Sequence, residues 1–293
     1  MMSRIDNERL KVFFGVLVAL AVVFEVVLWM TDADPNSSRM VYMFTPMIAG
    51  LAVAYWTEYS PRDFGLRVGN VRWLGASLLI GLLVVGLTVA IAVAVPGVYV
   101  AGSALDALPV PPGLPGIMLL VVGTVLFALT LGTVTGFGEE FGWRGYLLWE
   151  LSPLGFWRAS VVIGIVWGLW HGVGILQGLQ YESFPYVGVF VFTAATVALS
   201  PVYTYVVWRA KSVLAAALLH GVFNSASMTV IGLLTADSEF LSQLVATTIG
   251  IAGIIACLLV CGLIYLHGTP SIDRETLDWD SDRSSTSQTV TAD

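Results

Sequence analysis

Near the middle of the chain, Gly138-Glu139-Glu140-Phe141-Gly142-Trp143-Arg144 sets two carboxylates and a guanidinium at the end of a long apolar run. Ionisable groups at membrane depth are costly, and by default they mark function. Two later apolar runs each carry an imidazole: His171, in Trp167-Gly168-Leu169-Trp170-His171, and His220, in His220-Gly221-Val222-Phe223-Asn224. A carboxylate and a neutral imidazole can together position and deprotonate a water. A second imidazole and an amide N–H can donate to an oxyanion. That set describes hydrolysis of an amide bond. Glu139, His171 and His220 also make a possible Zn²⁺ ligand set, which would acidify a bound water. The HExxH of helical zinc proteases is absent, so both routes stay open. There is no GxSxG, and neither cysteine has an evident base, so a serine or cysteine triad has little support.

Helical spacing divides these residues into roles. Adjacent positions point about 100° apart, so Glu139 and Glu140 cannot face one substrate alike. Arg144 is four residues after Glu140, within ion-pair reach. Trp143 is four after Glu139. Glu140 is therefore expected to be held by Arg144, leaving Glu139 for chemistry. Asn224 is four after His220 and shares its face. Gly168, Gly172, Gly174 and Gly221 let helices approach closely beside the histidines. Taken singly, each feature has a plainer reading: a solvated ion pair, or a histidine bonding two helices. Taken together, three runs converge on one polar site.

The elements that must position these groups are apolar. Of 293 residues, 57% are hydrophobic and 11% charged, against roughly 25% charged in a soluble domain. The expectation is an all-α polytopic transmembrane bundle of about eight spans. The runs are 12–30, 40–56, 73–95, 117–136, 157–176, 184–208, 212–234 and 244–266. Residues 1–267 read as one domain with its motif core at 117–234. Residues 268–293 read as a disordered acidic polar tail. With both termini cytoplasmic, every arginine and lysine except Arg39 falls inside, which satisfies the positive-inside rule. No basic stripe supports nucleic-acid binding. Cys257 and Cys261 read as small buried hydrophobes, and His267 as interfacial. His171 lies about 14 residues into the fifth run, roughly 21 Å from its start. For Glu139 to reach it, 137–151 must be continuous helix buried in protein.

The ordered triplet, Glu-Glu-x-x-Trp-Arg, then aromatic-x-x-x-His, then His-x-x-x-Asn, resembles the CPBP family of CAAX prenyl endopeptidases and bacteriocin-processing or immunity (Abi) proteins. The motifs span 139–224. The second departs in having Trp167 where the family pattern has Phe. The resemblance implies an intramembrane endopeptidase of the cell membrane, opening to the cytoplasm and acting on a membrane-tethered or lipidated peptide. It implies that Glu139 and His171 activate water, that His220 and Asn224 stabilise the oxyanion, and that Glu140, Arg144, Trp143 and Trp167 give support. The family is termed metalloprotease, so Zn²⁺ is its implied cofactor. A silent binding or immunity protein of the same fold is the alternative. A transporter would favour inverted repeats, which the sequence lacks.

Overall fold

The structure, a computed structural model, describes residues 4–31, 35–101, 111, 113–274 and 277. Its helices are α1 (Asn7–Thr31), α2 (Pro35–Tyr42), α3 (Thr45–Trp56), α4 (Val71–Val93), α5 (Leu114–Leu154), α6 (Phe156–Leu176), α7 (Pro185–Ala210), α8 (Leu214–Ile231) and α9 (Ile251–His267). The fold is an all-α bundle, and each of the eight apolar runs falls on a helix. Five helices, α1, α4, α5, α6 and α7, are long and apolar enough to cross a membrane. They present exposed side chains such as Val18, Leu79, Leu119 and Phe190 where a soluble protein would present charge.

Two features escaped the sequence reading. Val98–Val100 and Leu234–Ala236 form a two-stranded antiparallel ribbon, with Tyr99 opposite Thr235. Three-residue strands are too short to show a period-2 signature. The last apolar run also begins later than its composition suggests. Phe240–Val245 forms a π-helical turn, and α9 starts only at Ile251, after Gly250.

The helix α5 organises the molecule. At 1.5 Å per residue its 41 residues extend about 60 Å, roughly twice a bilayer's apolar core. Its first part, Leu114–Phe127, buries only Gly116. Its second part differs completely: residues 138–152 are all buried. The expected continuous, protein-buried helix over 137–151 is present, and it carries an unexpected feature. Phe141–Leu147 is π-helical, as is Ala128–Gly132 further back. Such widened turns concentrate at functional sites.

Glycines set the helix spacing around this core. A Cβ on Gly221 of α8 would stand 2.5 Å from the Ala128 carbonyl oxygen of α5, and one on Gly168 of α6 would stand 2.5 Å from Thr193 Cα of α7. Both pairs of backbones therefore touch, α5 with α8 and α6 with α7.

The tail requires a correction. Disorder was expected from Gly268 onward, yet Ile272 is 5% exposed and Arg274 is buried. Arg274 Nη2 donates to Glu150 Oε1 at 2.6 Å. The same carboxylate accepts from Arg9 Nε (2.7 Å) and from the Asp6 backbone N–H (2.6 Å). Glu150 is fully buried and so has to be paired. Two cationic side chains from distant parts of the chain supply the pairing. Composition alone does not reveal that a polar tail answers a buried acid. Residues 275–276 and 278–293 lie outside the described residues.

Candidate active site

The buried cluster starts from Glu140 of α5. Its side chain is fully buried, and Arg144 Nη1 donates to Oε2 at 3.0 Å and to Oε1 at 3.2 Å. This is the i,i+4 pair that spacing called for. His220 of α8 adds a third bond, its Nδ1 lying 2.8 Å from Glu140 Oε1. An ionised carboxylate only accepts, so Nδ1 carries the proton. Arg144 is itself covered by aromatic faces, its guanidinium carbon 4.4 Å from the Trp167 ring centroid and 4.6 Å from that of Tyr203. Among the described residues its Nε and Nη2 have no hydrogen-bond partner, and the π faces offset part of that loss.

Glu139 is equally buried, at 1% exposure, but is held very differently. Oε2 accepts one bond, from Trp167 Nε1 at 2.6 Å. Among the described residues Oε1 accepts none, and it lies 4.0 Å from His220 Nε2. Of two adjacent glutamates, one accepts three bonds through both oxygens, and among the described residues the other keeps a free oxygen turned toward an imidazole.

His171 of α6 sits beyond Trp167. Its Nδ1 lies 3.0 Å from the Trp167 carbonyl oxygen, so Nδ1 carries the proton and the neutral ring keeps its lone pair at Nε2. The ring is walled by Trp170 (centroids 4.7 Å) and Phe192 (4.5 Å). No ion-pair contact joins His171 to Glu139 among the described residues. Trp167 links them instead, through its indole on one side and its carbonyl on the other. Asn224 is half-buried on α8 and makes no hydrogen bond among the described residues. Trp143 is fully buried against Phe13 and Trp170, and its indole nitrogen is unpartnered.

The sequence reading missed Tyr203. It is fully buried on α7, faces Arg144, and meets the His220 ring edge-on with centroids 5.9 Å apart. A tyrosine inside an apolar run gives no periodic signal that sets it apart from core. Among the described residues no group of three or more His, Cys, Asp or Glu side chains is arranged to hold a metal ion. His220 Nδ1, His171 Nδ1 and Glu139 Oε2 have protein partners, which leaves the two Nε2 atoms and Glu139 Oε1 as the atoms that would hold Zn²⁺.

Residues 121–226, which contain all of these groups, match the model of the type II CAAX prenyl endopeptidase Rce1-like family. The match places this core among sequences similar to that family. A 63-residue stretch is also 41% identical to CAAX prenyl protease 2 of Methanococcus maripaludis, covering 20% of this chain and 22% of that protein. The matched stretch runs from within α5 to within α8. Outside it, α1 and the start of the tail reach the core through Glu150.

Proposed function

We propose that this Rce1-like chain is an intramembrane endopeptidase that hydrolyses a peptide bond of a membrane-tethered substrate, of the lipidated CAAX type. The observation that carries this reading is the unequal treatment of the two glutamates. Glu140 is tied by Arg144 and His220, whereas Glu139 retains a free oxygen in a buried polar cluster.

Glu139 Oε1 takes a proton from water, and the water oxygen attacks the scissile carbonyl carbon. The carbonyl π electrons move to oxygen. His171, with its lone pair at Nε2, orients the water from the α6 side. Two carboxylates and one guanidinium leave the cluster one charge short of neutrality, and an imidazolium at His220 closes the count. That form keeps Nδ1–H on Glu140 and offers Nε2–H to the oxyanion. The Asn224 amide is the second donor. The intermediate collapses with cleavage of the C–N bond, and the Glu139 carboxyl returns its proton to the leaving nitrogen. The basic residues flanking the apolar runs orient the site toward the cytoplasm.

The test is cleavage of a membrane-tethered, lipidated reporter by wild type and by Glu139→Ala in proteoliposomes. Cleavage by wild type and loss in the variant are expected. Equal cleavage by both would remove Glu139 from the mechanism, and a folded wild type that cleaves nothing would favour the silent binding protein.

A further inference from the structure

We infer that Trp167 is a positioning residue for Glu139: its indole N–H pins Oε2 and thereby decides that Oε1 is the oxygen presented to water. The inference rests on the reading of Glu139 as the general base.

A buried carboxylate needs donors. Each glutamate has about four acceptor positions, and desolvation is costly where they are unfilled. Glu140 accepts three bonds, two from Arg144 and one from His220. Glu139 has one donor among the described residues, the indole, at 2.6 Å. Without it the carboxylate could turn about its terminal torsion, since that torsion has broad, roughly two-fold wells. With it, one oxygen is fixed and the other is aimed at His220 Nε2, 4.0 Å away. That separation exceeds a direct hydrogen bond and suits one bridging water.

The indole is itself held rigidly. Its residue is 4% exposed, its ring lies against the Arg144 guanidinium, and the contact of Gly168 with Thr193 fixes the helix that carries it. The same residue's carbonyl anchors His171. Trp167 therefore sets the relative placement of both groups assigned to water. A phenylalanine would keep the ring but has no N–H to give.

The experiment replaces Trp167 in the full chain with benzothienylalanine, an isostere in which sulfur stands for the indole N–H, and separately makes Trp167→Phe. Reporter kinetics are expected to show kcat lowered by about 10- to 100-fold with KM unchanged, the effect of losing one hydrogen bond to a charged group. A kcat within two-fold of wild type for the isostere would overturn the role. A second readout needs no activity. With ¹⁵N-indole labelling, the Trp167 Nε1–H resonance should lie downfield in wild type and return to the ordinary indole range in Glu139→Ala. An unchanged resonance would overturn the hydrogen bond. If wild type cleaves nothing while the resonance moves, the proteolytic reading fails and the positioning contact stands.

Discussion

Glu140 and His220 are 80 residues apart in the chain and 2.8 Å apart in the fold. Through this bond α5 fixes the orientation of the His220 ring, with Nδ1 on Glu140 and Nε2 facing Glu139. Glu140 is thus the residue through which Arg144, α5 and α8 act as one unit.

That unit should reveal itself in stability. Arg144→Ala leaves the Glu140 carboxylate buried with half its partners, and breaking a buried pair costs roughly 3–5 kcal/mol. Arg144→Lys keeps the charge but loses the planar contact with Trp167 and Tyr203, so it should recover only part of the loss. Thermal unfolding in detergent micelles measures both. A midpoint for Arg144→Ala equal to wild type would contradict the assignment.

Asn224 should behave in the opposite way. It makes no hydrogen bond among the described residues, so Asn224→Ala removes nothing from the folded scaffold. Loss of an oxyanion donor should lower kcat by about 10²- to 10³-fold. The unfolding midpoint should move little. A large drop in stability with retained turnover would show the amide to be structural.

Gly221→Ala tests the close approach of α8 to α5. The new methyl meets the Ala128 carbonyl oxygen at 2.5 Å within the first π-helical turn. Overpacking of this kind costs about 1–3 kcal/mol. The helices must part, and His220 moves with α8. Lower stability and lower kcat should therefore appear together, whereas Gly15→Ala, with open space around it, should change neither.

Glu150 joins the start of α1 and the beginning of the tail to the end of α5. Glu150→Ala strands the cation of Arg274 and leaves Arg9 to Asp6, and limited proteolysis should then cut within 268–274 much faster than in wild type. Equal digestion rates would mean that the tail is held by other contacts.

Asp6 supplies a pH-dependent element at the same place. The backbone N–H of Arg9, helped by that of Glu8, holds its carboxyl below the ordinary aspartate range. A depressed folded-state value contributes stability above the unfolded value, near 3.9. The contribution is lost as pH falls through the folded value. Asp6→Asn, which keeps the cap, should flatten the acid limb of a stability–pH profile while leaving neutral stability nearly unchanged.

What was legible in the sequence was whatever depends on near neighbours along the chain. Apolar run length revealed the helices, because a span is a local property of composition. Four-residue spacing revealed Glu140 with Arg144, because one turn of helix brings them together. The approach of Glu139 to His220 could be suspected only from their joint rarity in apolar surroundings. Tertiary structure decided the rest. That Trp167 donates to Glu139, that Tyr203 covers Arg144, and that Arg9 and Arg274 meet on Glu150 all depend on how helices are rotated and spaced. Those rotations are set by glycine contacts and widened helical turns far apart in the chain. No periodicity records them, since they exist only once the backbones touch.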